Sequence, residues 1–139
     1  LYGVGGLPLR LENGRPTVGV IAPYRAQVAL IRRELESELA GYGTAEDWRG
    51  IVDTVDRFQG DERNLIIVSL CLSPDPNAPP PRIYAEERRI KAALSRAQNK
   101  LCIVGAIESL ISVPGLAGLR THVRQYPGEA SEVTGDVLK

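Results

Sequence analysis

Three short stretches offer polar side chains of the kind that meet phosphate. They are Arg25 in APYRAQ, the run Gln59, Gly60, Asp61 and Glu62 within DTVDRFQGDE, and Arg96 in ALSRAQ. A guanidinium presents a planar fork of donors to phosphate oxygens, and a glycine lets a backbone turn at positive φ, so that Gln59 and Glu62 would project from one edge. None of the three is a complete phosphate cradle. GxxxxGK[ST] is absent from the chain, and VGGLPLRLENG does not supply it. The acidic pair in GDE precedes its apolar run, whereas a magnesium-holding acid of a P-loop enzyme follows one. The chain is therefore expected not to bind and hydrolyse a nucleoside triphosphate by itself in the P-loop manner. Its phosphate-directed groups could instead complete a site formed elsewhere.

The elements that must position these groups follow from hydrophobic periodicity. TVGVIA (17–22) is a β-branched apolar run ending at Pro23, which predicts a buried parallel strand. From Tyr24 the period changes: Ala26, Val28, Ile31, Leu35 and Leu39 recur at helical spacing, with charges on the other face and Gly41 as the stop. IVDTV (51–55) and NLIIVSLC (64–71) predict a second and a third strand. The third is so apolar that both its faces must be covered, which implies flanking helices. LSPDPNAPPPRI (72–83) contains five prolines and predicts an extended loop. AEERRIKAALSRAQ (85–98) predicts a helix with Glu86 and Glu87 in its first turn and Arg96 in its last. KLCIVG (100–105) predicts a fourth strand, with short helices from AIESLI and PGLAGLRTHVRQY after it. The alternation describes an α/β layered domain with a mostly parallel sheet, in which functional groups collect at the carboxyl ends of the strands.

The bulk numbers set limits. The 139 residues fit one domain, with a lead-in over 1–16, the domain itself over 17–127 and a polar, flexible tail over 128–139. The first residue is Leu1 rather than Met, which suggests a piece of a longer chain. Seventeen basic and seventeen acidic residues cancel, so attraction to nucleic acid must come from a local cluster rather than a global field. The longest apolar run falls short of a membrane span. Cys71 and Cys102 lie in apolar strand-like runs, where a thiol behaves as a small hydrophobe, and are expected to be reduced thiols of an intracellular protein, cytoplasmic or nuclear. Two cysteines and His122 cannot make a zinc site, so no metal ligand set is predicted. Arg88, Arg89 and Lys91 follow two glutamates and predict a solvated helical face; Trp48 is expected to cover a core edge.

Taken together and in order, VGVIAPYRAQV, IVDTVDRFQGDERNLIIVSL and RRIKAALSRAQNKLCIVG resemble motifs IV, V and VI of superfamily 1 helicases, in the Upf-type and flap-processing branch that moves 5′ to 3′. The resemblance spans roughly residues 17 to 110. It implies the second RecA-like domain of such a motor: a RecA-like three-layer sandwich without a Walker A motif of its own. ATP and Mg2+ would be held mainly by a first, N-terminal P-loop RecA-like domain of the same parent chain, and the partner would be single-stranded RNA or DNA. By the same resemblance Arg96 would be an arginine finger on the γ-phosphate. Glu62 would bond the ribose or sense the nucleotide, with Gln59 and Gly60 shaping that turn and Arg25 offered to the γ-phosphate. Thr54 would give its hydroxyl and backbone N–H to a strand phosphate, with Pro23 and Tyr24 bordering the track. Lys91 and Ala92 stand where the family carries Asn-Val, and Leu72 where its apolar strand ends in arginine. The alternative reading is a non-catalytic RecA-like module that binds nucleic acid or a partner. By itself the 139-residue chain is expected to be inactive.

Overall fold

A computed structural model describes residues 14, 16–41, 50–58, 61–70, 86–106, 113 and 115–128. Its elements are β1 (Val18–Ile21), α1 (Arg25–Glu38), β2 (Val52–Asp53), β3 (Arg63–Ser69), α2 (Glu87–Leu94), β4 (Ala97–Val104) and α3 (Leu119–Gln125). The four strands form one sheet in the order β2-β1-β3-β4, and every neighbouring pair is parallel. That is the α/β architecture of a RecA-like fold.

Alternation along β1 divides the core. Ile21 enters a cluster with Ile66, Val68, Leu70 and, from α2, Ile90 and Ala93. Val20 and Ala22 face a second cluster, in which Val28, Ile31, Leu35 and Leu39 of α1 cover Ile51 and Val52. Helices therefore cover the sheet on both faces, α1 over β1 and β2 and α2 over the opposite face. Gly19 determines how closely the chain after β2 can return over β1: a Cβ there would stand 2.7 Å from the Phe58 ring and 2.8 Å from Ile66. Only the absence of a side chain lets Phe58 pack against the strand. α1 closes at Leu39, whose amide bonds the Leu35 carbonyl, and Gly41, two residues on, turns the chain away at φ +96°, a conformation that costs glycine little.

Several elements differ from the expected boundaries. α2 stops at Leu94 rather than running to Gln98, and Arg96 lies in the turn after it. Ser95 donates its hydroxyl back to the Ala92 carbonyl, while the Arg96 carbonyl accepts the Arg63 amide at 3.0 Å, which draws the chain into the sheet three residues early. β2 is two residues long because the Thr54 carbonyl accepts from Arg57 and Phe58, closing a turn. β4 is not buried: it pairs only with β3 among the described residues, and 98–102 and Val104 are exposed. Cys102 is accordingly an exposed thiol. His122 makes a tilted ring contact with Tyr126, centroids 4.9 Å apart. The proline-rich loop, IESLI (107–111), Cys71, Leu72, Trp48, Gln59, Gly60 and the tail from 129 lie outside the described residues. Among the described residues no helix is long and apolar enough to cross a membrane.

Candidate functional site

The residues singled out above fall at two opposite ends of the sheet. At the carboxyl end, Ala22 donates its amide to the Asp53 carbonyl at 3.2 Å, so Pro23, Tyr24 and Arg25 emerge from β1 beside Thr54 emerging from β2. Tyr24 is the N-cap of α1, with extended dihedrals (φ −120°, ψ 140°) and 39% exposure. Arg25 opens the helix and is exposed. At the amino end, Glu62 precedes β3 and Arg96 precedes β4. The Arg63 amide bonds the Arg96 carbonyl, and Gln98 Nε2 donates to Glu62 Oε2 at 3.2 Å. Arg25 thus lies at the end occupied by Thr54, and Glu62 at the end occupied by Arg96.

DTVDRFQGDE connects these ends. It leaves β2 at Thr54, turns through Phe58 over Gly19 and returns to β3 at Glu62, along the face that α2 covers. Two contacts fix it, and periodicity revealed neither. Arg63 is 5% exposed, its guanidinium lies 5.4 Å from the Phe58 ring centroid, and it grips Asp61 with both terminal nitrogens, Nη2 at 2.5 Å from Oδ2. Nη1 also donates to the Glu62 carbonyl at 3.0 Å. Its Nε is buried without a hydrogen-bond partner, which makes the ion pair with Asp61 the main compensation for the buried charge. Arg89 lies on the partly solvated face as expected and from there reaches Asp56 at 3.5 Å while pairing with Glu86 at 2.9 Å, an exposed contact between α2 and the middle of the turn. Lys91 does lie on the solvated face. It pairs with Glu87 at 2.8 Å, and that ammonium holds the Glu87 carboxyl below its ordinary range, through the hydrogen bond first and the charge second.

Arg96 folds back on its own helix. Nε donates to the Ala92 carbonyl at 3.0 Å and Nη2 to Ser95 Oγ at 3.2 Å. Both acceptors are neutral oxygens; a phosphate would offer anionic ones, to which a guanidinium can bond in bidentate geometry. Thr54 offers less than expected, because its backbone N–H already donates to Asp53 Oδ1 at 2.8 Å. The hydroxyl is the group left for a phosphate.

A family model described as an AAA domain matches residues 9–108. The chain belongs to this AAA domain family. Its relatives are helicases by name. It is 36% identical over 106 residues to the DNA replication ATP-dependent helicase/nuclease DNA2 of Mus musculus, a match covering 76% of this chain and 9% of that protein. The corresponding helicase/nuclease JHS1 of Arabidopsis thaliana is 29% identical over 121 residues, 86% of this chain and 8% of the relative. Probable helicase senataxin of Mus musculus is 34% identical over 94 residues, 68% and 3%. The chain therefore spans less than a tenth of the length of these relatives. This AAA domain is of a helicase family, and its all-parallel α/β sheet is consistent with the C-terminal RecA-like half of a superfamily 1 helicase. Among its described residues no group of three or more His, Cys, Asp or Glu could hold a metal ion.

Proposed function

We propose that this domain, over 17–127, is the arginine-finger half of an intracellular ATP-driven helicase or translocase acting on single-stranded RNA or DNA. The observation that carries the reading is the course of DTVDRFQGDE, which joins Thr54 at one end of the sheet to Glu62, beside Arg96, at the other. A nucleotide-facing edge and a strand-facing edge linked by one anchored turn is what a motor half needs if domain closure on one side is to move a strand on the other.

The donor set at the amino end fits a nucleoside triphosphate: a guanidinium for phosphate charge, and an exposed carboxylate able to accept from a ribose hydroxyl. In this reading Arg96 supplies transition-state charge stabilisation in trans, worth about a thousandfold or more in turnover. Glu62 orients the nucleoside from the turn that Gln59 and Gly60 shape. ATP and its Mg2+ are held mainly by an N-terminal P-loop domain, which would explain why this chain carries no such motif. At the carboxyl end Pro23 and Tyr24 border the strand, Thr54 offers its hydroxyl, and Arg25 opens toward whatever occupies that edge.

The test is ATP hydrolysis by the full-length protein, with and without single-stranded RNA and DNA, beside an Arg96→Ala variant. Strand-stimulated turnover that falls about a hundredfold or more in the variant, with an unchanged circular dichroism spectrum, is the expected result. Turnover indifferent to Arg96, or none in the parent protein, would favour a RecA-like module that binds without catalysis. The 139-residue chain alone is expected to hydrolyse no ATP.

A further inference from the structure

The carboxyl end of β2 carries one arrangement that the motif residues do not account for. Among the described residues β2 is an edge strand, and two carbonyls at this strand face β1: that of Ile51, just before β2, accepts from Val20 at 2.7 Å and that of Asp53 from Ala22 at 3.2 Å. Strand alternation then turns the Val52 carbonyl outward, where it needs a donor from outside the sheet. Arg32 of α1 provides two, Nη2 at 2.6 Å and Nε at 3.2 Å. The same Nη2 lies 3.6 Å from Asp53 Oδ2, with the two side chains 30% and 22% exposed. Asp53 Oδ1 meanwhile accepts the Thr54 amide.

This puts a carboxylate within one residue of the hydroxyl proposed to meet a strand phosphate. Uncompensated, two like charges that close repel strongly near a protein surface. Arg32 stands where it cancels that charge, and its bonds to Val52 also fix the backbone from which Thr54 projects. We propose that Arg32 is a positioning residue for single-strand binding: by pairing with Asp53 it makes the Thr54 edge acceptable to a phosphodiester, without itself touching the strand. The inference rests on the reading of Thr54 as a strand contact.

The experiment measures affinity of the full-length protein for labelled oligodeoxythymidylate and oligouridylate, with urea unfolding in parallel. Arg32→Gln keeps a donor for Val52 but loses the charge, and is expected to weaken binding about fivefold, the scale of one exposed charge pair. Asp53→Asn keeps an acceptor for the Thr54 amide, removes the carboxylate, and is expected to bind as tightly as the parent or tighter. The double variant R32Q/D53N should return to within about twofold of D53N, because the charge that Arg32 offsets is then gone. A double variant as weak as R32Q would overturn the inference and show a direct phosphate contact or a purely structural role. Should R32Q unfold, D53N alone decides: weaker binding there contradicts the proposal. Thr54→Val separates the two readings. If T54V weakens binding while R32Q does not, the inference alone fails; if T54V changes nothing, the strand reading fails and the inference with it.

Discussion

The two ends of the sheet hold their arginines differently. At the carboxyl end Arg32 reaches across twenty positions of sequence to Val52 and Asp53, knitting helix to strand. At the amino end the Arg96 side chain bonds locally among the described residues, four residues back to Ala92 and to its neighbour Ser95. The first arrangement is built in by the fold, since Val28 and Arg32 occupy successive turns of the face that packs on β2. The second is a side chain stowed against its own helix end and released at modest cost. Under the proposed function, a strand-facing edge benefits from being rigid before binding, whereas a finger that acts in another domain's site must be able to extend. Between them the turn through Asp56 and Phe58 is clamped by Arg63, Arg89 and the close approach at Gly19.

Breaking the clamps tests whether the ends are separable. The largest stability effect is expected from Asp61→Ala, which leaves the buried Arg63 guanidinium uncompensated. Removing one partner of a buried pair costs about 3–5 kcal/mol, and the 44% exposure of the Asp61 side chain lowers this to about 2 kcal/mol, read as a shift in denaturant midpoint. Gly19→Ala forces a methyl against Phe58 and Ile66 and should cost about 1–2 kcal/mol by overpacking, with strand affinity and turnover both reduced because the turn is displaced. Arg89→Ala removes an exposed pair to Asp56 and is expected to change stability by less than about 0.5 kcal/mol, while lowering the stimulation of hydrolysis by single strands; unchanged stimulation would show that α2 and the turn communicate by another route. The smallest effect concerns Lys91. Because the Glu87 carboxyl titrates lower in the folded chain than when unfolded, its pairing contributes above the ordinary carboxylate range and is lost as pH falls through the lowered value. A Lys91→Ala variant should therefore differ slightly from the parent at neutral pH and not at strongly acidic pH.

Much of the fold was legible because its signals are local. The β-branched run before Pro23, the 3.6-residue spacing in α1 and the apolar run of β3 each predict one element, and all three are present. What escaped depends on which elements become neighbours. KLCIVG reads as a strand, and β4 is one; that it lies at the sheet's edge among the described residues and leaves Cys102 exposed is not encoded in an apolar run. The end of α2 was misread because Arg96 has helical neighbours; the bond from Arg63 to its carbonyl, 33 positions away in sequence, ends the helix instead. Periodicity puts the charges of α1 on the face away from the core, and Arg32 departs from that; its spacing of four from Val28 is the signal that it shares the packed face. Arg63 gave only a faint one, a charge opening an apolar strand. The site was legible as three motifs, and their separation to two sheet ends was not, since it follows from register: Val18 lies beside Leu65 while Arg63 lies beside Ala97.

The central claim is that one end faces the strand and the other the nucleotide. The most direct measurement compares, in the full-length protein, single-strand affinity and saturated ATP turnover for Thr54→Val and Arg96→Ala together. The account predicts a crossed result: T54V weakens the strand about fivefold and leaves turnover at saturating strand within about twofold, while R96A leaves strand affinity near that of the parent and lowers turnover about a hundredfold or more. Equal loss of both properties in both variants would contradict a division of labour between the ends of the sheet.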